Sequence, residues 1–242
     1  MAIPALAYPT YAVGARLAGR AVVTVDGIDD LRALPAAPAM LWLNSPANPT
    51  GRVTPVAELA EIVAHASAHG TLVVSDECYL DLGWEVEPAT VLHAEVSGGS
   101  TDGLLAVHSL SKRSNLAGYR CGFVAGDAEL VARLTAARRD LGLIMPAPQQ
   151  AATIAALGDE THVVEQRARY AARRDVLRDA LVAGGFRVDH SEAGLYLWAT
   201  CGEPSDVTTG RIADLGVVTV DGRSYGPTGA RHVRLALSLI HI

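Results

Sequence analysis

Between residues 21 and 125 the chain repeats one pattern: a short, mostly apolar run of β-prone residues, then a helical or turn-rich stretch, then another run. The runs are Ala21–Val25, Ala39–Asn44, Thr71–Ser75, Leu104–Ser109 and Cys121–Ala125, each of about five or six residues, the usual length of a strand. Several are apolar almost throughout, as strands covered on both faces must be. Pro55–His69 lies between the second and third. Thr54 suits the N-cap of a helix there, Pro55 its first position and Gly70 its stop. Val56, Leu59, Ala60, Ile62 and Val63 give that helix a buried stripe. Strand, helix and strand in this order predict an α/β fold with a mostly parallel sheet and right-handed crossovers.

Asp127–Leu141 and Pro148–Leu157 have helical spacing, and Asp159–Ala183 is a long Arg-rich helical pattern that ends at Gly184-Gly185. Its charges include Glu165 and Arg169 at i,i+4, so it is read as a solvated face rather than a nucleic-acid patch. Beyond Gly185 come strand-like Phe186–Asp189 and Leu195–Ala199, a helix near Ser205–Leu215, and strand-like Val217–Val220 and His232–Leu237. The expected division is a larger domain over 1–158, then a bridging helix with a smaller α+β domain over 159–242.

Composition removes several classes of function. Half of the 242 residues are apolar and 19% are charged, which excludes a disordered chain. No apolar run approaches the roughly 18 residues that span a bilayer, and the opening Met1–Leu6 lacks the basic start of a secretory signal. Cys78, Cys121 and Cys201 stand far apart with no CxxC pair, so neither a disulfide framework nor a zinc site is expected, and a reducing cytoplasm fits. His65 and His69 lie at i,i+4 without an intervening glutamate, which favours a solvated helix face over a metal site. A net charge of −6 disfavours nucleic acid.

Of the 20 basic residues, Lys112 alone is a lysine. An ε-amine can lose its proton and attack a carbonyl, whereas a guanidinium cannot. Lys112 sits in His108-Ser109-Leu110-Ser111-Lys112, directly after a strand. Three further polar segments also adjoin strand ends, where open α/β sheets place ligands: Asn44–Gly51, Ser75–Tyr79 and Gly118–Gly122. Together they supply what pyridoxal phosphate requires. These are a lysine for its aldehyde, a carboxylate for its pyridine nitrogen, hydroxyl and amide donors for its phenolic oxygen, and an arginine with small hydroxyls for its phosphate.

In sequence and order, Ser45–Gly51, Asp76–Tyr79 and Ser109–Arg120 resemble the fold-type I, class I/II aminotransferases, which depend on pyridoxal phosphate. That resemblance implies the large-domain sheet of the family with a smaller C-terminal α+β domain. It implies Lys112 as the Schiff-base lysine and proton shuttle, and Asp76 as partner of the pyridinium nitrogen. Asn48 and Tyr79 become donors to the phenolic oxygen, and Ser109 and Arg120 phosphate ligands. Tyr8 becomes the aromatic that stacks on the ring, and Arg234 in His232–Leu235 the clamp on the substrate carboxylate, beside Asn48. Ser111–Gly126 and Glu192–Thr200 look most like actinobacterial succinyldiaminopimelate aminotransferases. The implied reaction is transamination with glutamate and 2-oxoglutarate in lysine and diaminopimelate biosynthesis, by a cytoplasmic homodimer. A C–S β-lyase and a non-catalytic cofactor-holding module are the alternatives. Family members carry an N-terminal arm and a phosphate-binding loop before the Tyr8 motif, and a polar closing helix where this chain has Leu239–Ile242. The expectation is therefore a chain truncated at both ends.

Overall fold

The computed structural model describes residues 1–238, so Leu239–Ile242 of the closing segment lie outside the described residues. Ten strands and nine α-helices follow one another along these residues. The first part runs β1 (Ala2–Pro4), α1 (Thr10–Leu17), β2 (Val23–Val25), α2 (Ile28–Ala33), β3 (Met40–Asn44), α3 (Val56–Ala68), β4 (Leu72–Asp76), α4 (Ala94–Ser97), β5 (Leu104–Ser109), α5 (Leu110–Arg113) and β6 (Gly122–Gly126). Three helices come next: α6 (Ala128–Asp140), α7 (Ala147–Leu157) and α8 (Thr161–Ala183). The last part is β7 (Arg187–Asp189), β8 (Tyr196–Thr200), α9 (Ser205–Ala213), β9 (Val220–Asp221) and β10 (Val233–Ala236).

The first sheet has the order β2-β1-β3-β4-β5-β6. Its first five strands are parallel, and β6 returns antiparallel to β5. The expected α/β class and mostly parallel sheet are therefore present. Helix α3 shows why: Leu59, Ile62, Val63 and Ala66 form the buried stripe of a 3.6-residue period. Leu59, Val63 and Ala66 pack with Val73, Leu104 and Ala106 of the sheet, while Tyr11 and Trp42 belong to a separate cluster with Ile3 and Ala7. The helix starts one residue later than expected. Pro55 takes the N-cap position with no side-chain cap, and the Thr54 amide instead donates to Ser45 Oγ at 3.0 Å.

The second sheet, β7-β8-β10-β9, is antiparallel. Its core includes Leu195, Leu197, Ala199, Val233 and Leu235, and also takes Tyr79 and Leu82 from the segment after β4. Helix α8 departs from a purely solvated face. Arg174 is 5% exposed, with Nε on Ser191 Oγ at 2.9 Å and Nη2 on Ser191 O and Glu85 Oε1, both at 2.7 Å. Other bonds close the same seam. Gly83 bridges Ala193, and Trp84 Nε1 donates to Gly194 O at 3.1 Å. Among the described residues no helix is long and apolar enough to cross a membrane.

Candidate active site

Parallel pairing puts the polar strand ends side by side, because Asn44 lies opposite Asp76, and Asp76 opposite Val107. The reversal at β6 adds the fourth segment. Ser109 ends β5 opposite Gly122, so Arg120, just before β6, comes back to the edge that carries Lys112. In a fully parallel sheet this residue would enter from the opposite edge.

The side chain of Asn44 fastens two of these segments. Its Nδ2 donates to Asp76 O at 3.0 Å and Pro46 O at 3.1 Å, while its Oδ1 accepts the Asn48 amide at 2.8 Å. Both prolyl bonds of this loop, Ser45-Pro46 and Asn48-Pro49, are cis. The loop then meets residues 191–193 through the Ser191 amide on Thr50 O and the Ala193 amide on Gly51 O. Gly51 has φ +74°, and a Cβ there would stand 2.5 Å from Ala193 O, so only glycine allows this approach.

Ser109 caps α5, accepting the Ser111 amide at 3.1 Å. This one-turn helix presents Lys112 to a cleft of about 300 Å³. The cleft is lined by seven of the eight residues singled out by sequence: Tyr8, Asn48, Asp76, Tyr79, Ser109, Lys112 and Arg120. The eighth, Arg234, comes from β10 and donates through Nη1 to Asn48 Oδ1 at 3.2 Å. Its guanidinium carbon lies 3.9 Å from the ring centre of Tyr196 and 5.3 Å from that of Tyr225, and among the described residues its buried Nε has no partner. Arg113, by contrast, turns away from the cleft, to Asp81, Glu160 and Ala156 O.

Three features were not foreseen. The Tyr11 hydroxyl, in the first turn of α1, donates to Asp76 Oδ2 at 2.6 Å, while Oδ1 accepts the Cys78 amide at 3.2 Å. Burial, with the Asp76 charge second, drives the Tyr11 phenol far above its ordinary value and so keeps it a donor. Tyr8 stands edge-on to Tyr11 and is 46% exposed. Second, the Tyr79 hydroxyl lies 3.4 Å from that of Tyr196, and burial pushes the Tyr79 phenol well up. Third, Glu77 is 1% exposed, accepts the Val91 amide at 2.8 Å and faces His108 Nε2 at 3.4 Å. Burial raises its carboxyl above the ordinary range. A sequence signal existed only for Tyr11, which closes the Tyr8-Pro9-Thr10-Tyr11 turn leading into α1, its amide donating to Tyr8 O at 3.1 Å.

The residues present fit pyridoxal phosphate. Among the described residues Lys112 Nζ has no hydrogen-bond or ion-pair partner, yet it shares the cleft with the Asp76 carboxylate. Ser109, Ser111 and Arg120 offer hydroxyls and a guanidinium to a phosphate, and Asn48 and Tyr79 offer donors to a phenolic oxygen.

Known proteins with this sequence and shape point the same way. The model of the family described as Aminotransferase class I and II matches residues 1–239. A probable aminotransferase of Mycobacterium tuberculosis is 56% identical over 236 residues, covering 98% of this chain and 56% of the relative. The 4-dedimethylamino-4-oxo-anhydrotetracycline transaminase OxyQ of Streptomyces rimosus is 53% identical over 238 residues, covering 98% of this chain and 66% of the relative. The chain thus spans between 56% and 66% of the length of these curated relatives. The solved N-succinyldiaminopimelate aminotransferase of Mycobacterium tuberculosis superposes with a TM-score of 0.89 at 28% identity, over 98% of this chain and 66% of that one.

Proposed function

The chain belongs to the class I and II aminotransferases, and on that premise we propose that it carries the machinery to move an amino group between an amino acid and a 2-oxo acid. Members of the family use pyridoxal phosphate. When bound, that group supplies an electron sink for the negative charge left on a substrate carbon whose proton has been removed. The observation that carries the reading is the opening of Lys112 and Asp76 onto one cleft.

Asp76, held by the Tyr11 hydroxyl and the Cys78 amide, would accept a hydrogen bond from the pyridine N–H. Asn48 and Tyr79 would donate to the phenolic oxygen, and Ser109, Ser111 and Arg120 would bind the phosphate. Tyr8 would cover one face of the ring. Lys112 would hold the group through its aldehyde, and its free Nζ would take the proton from the substrate α-carbon. Arg234 orients the α-carboxylate through its fork, with Nη1 steadied on Asn48.

For the amino substrate we favour an N-succinyldiaminopimelate-like molecule. The resemblance of Ser111–Gly126 and Glu192–Thr200 supports it, as does the likeness to the N-succinyldiaminopimelate aminotransferase structure. The 53% identity to the anhydrotetracycline transaminase favours a second reading, a bulky polycyclic oxo substrate.

The test loads wild type and Lys112→Arg with pyridoxal phosphate, dialyses both and adds glutamate. Wild type is expected to keep a visible absorbance band that glutamate abolishes. The arginine variant should lack the band and lose about three orders of magnitude in rate. A wild type with no such band defeats the proposal. Supplying N-succinyldiaminopimelate or the oxo-anhydrotetracycline to the loaded protein then decides the substrate.

A further inference from the structure

Resting on the reading above, we propose that Tyr196 is a positioning residue that ties the carboxylate-binding Arg234 to the cofactor-facing Tyr79, its ring carrying the guanidinium and its hydroxyl steadying the Tyr79 hydroxyl. Tyr196 opens β8 and pairs with Ala236, two residues beyond Arg234 on β10. Tyr196 and Arg234 are thus diagonal neighbours on one sheet face, a spacing that long side chains bridge. The next residue on β8, Leu197, points into the core and is fully buried, so alternation sends Tyr196 to the cleft it lines.

Two contacts at opposite parts of one side chain make the link. The guanidinium carbon of Arg234 lies 3.9 Å from the Tyr196 ring centre, which is stacking contact. The Tyr196 hydroxyl, at the other end of the ring, lies 3.4 Å from the Tyr79 hydroxyl. As the structure stands, the Tyr79 hydroxyl donates to Tyr196; once Tyr79 turns its proton to the phenolic oxygen, the Tyr196 hydroxyl reverses to donate to Tyr79, and a phenol that accepts a hydrogen bond becomes a better donor. Asn48, the other donor assigned to that oxygen, touches Arg234 directly. Both donors are therefore within one or two contacts of the carboxylate clamp. The charged and titratable groups around this link are Asp76 and Cys78 beside Tyr79, Lys112 across the cleft, and Arg234 with Tyr225 behind Tyr196.

Hydroxyl and ring are separable by mutation. Wild type, Tyr196→Phe and Tyr196→Met are loaded with pyridoxal phosphate. Two quantities are read: the pH midpoint of the visible band without ligand, and the dissociation constant of glutarate, a dicarboxylate that cannot react. Tyr196→Phe is expected to raise the midpoint by about 0.5 pH unit, because a weaker Tyr79 donor leaves charge on the phenolic oxygen less stabilised and a proton is held to higher pH. Its glutarate affinity should stay within about twofold of wild type, since the ring remains. Tyr196→Met should show the same midpoint shift and bind glutarate about tenfold more weakly. An unmoved midpoint in Tyr196→Phe overturns the proposal, as does a Phe variant that loses glutarate affinity as fully as the Met variant. If circular dichroism shows Tyr196→Met unfolded, Tyr196→Phe decides alone. A wild type that never forms the band instead defeats the aminotransferase reading.

Discussion

Asp76 and Lys112 are legible in sequence because few residue types do what they do and because Asp76 ends a strand and Lys112 follows one by three residues; their partners are not. Tyr11 lies 65 residues from Asp76, and Tyr196 lies 117 residues from Tyr79. A tyrosine serves equally as core, cap or donor until the fold brings a partner to it. Glu77 is hidden differently: it follows Asp76, yet the chain turns its carboxyl inward to the Val91 amide and His108. The Tyr11 contact matters for binding. A hydroxyl at 2.6 Å from a carboxylate oxygen is a charge-assisted bond, and it fixes the plane of the carboxylate that, on the proposed function, would meet the ring nitrogen. Tyr11→Phe is expected to leave the fold intact and weaken pyridoxal phosphate binding about tenfold. Equilibrium titration of the visible band measures this, and an unchanged dissociation constant would show that the Cys78 amide alone holds Asp76.

Strand β5 occupies the span its apolar run indicates, and β3 and β4 fall within a residue of theirs, because buried parallel strands write their length into a run of apolar residues; β6, antiparallel and only partly buried, also falls within a residue of its run. The three-residue β1 and six-residue α2 are too short for any period to register. The direction of β6 is also invisible in its composition, yet it decides where Arg120 arrives. Helix α8 hides a further exception, since in a row of arginines only structure tells which one is sealed. Arg174 satisfies Ser191 and Glu85 from a buried position, whereas Arg169 pairs with Glu165 on an exposed face. Arg174→Ala should therefore cost about 2–3 kcal/mol by leaving the Ser191 carbonyl buried without its donor. Arg169→Ala should cost less than about 0.5 kcal/mol. Urea midpoints of the two variants check the contrast, and equal losses would contradict it.

How the two sheets face one another depends on contacts between residues far apart in sequence, so no local pattern announces it. Tyr225 stands near that junction, its carbonyl accepting the Ala7 amide at 2.9 Å. Burial pushes its phenol up to about 12 from an ordinary 10.0. A group whose folded-state value is raised contributes stability that is complete below the unfolded value and lost as pH climbs through the folded one. The unfolding free energy is thus expected to decline between about pH 10 and pH 12, with Tyr11 and Tyr79 acting in the same sense. Tyr225→Phe should flatten part of that decline in urea titrations across the window; an identical slope would place the loss elsewhere. The contact between Arg234 on one sheet and Asn48 beside the other has a mechanical consequence. Neither half of the molecule owns a finished binding wall, so any ligand held at both ends works as a rivet through a seam. How tightly it is gripped is then set by how stiffly two plates are hinged, as much as by the atoms it touches.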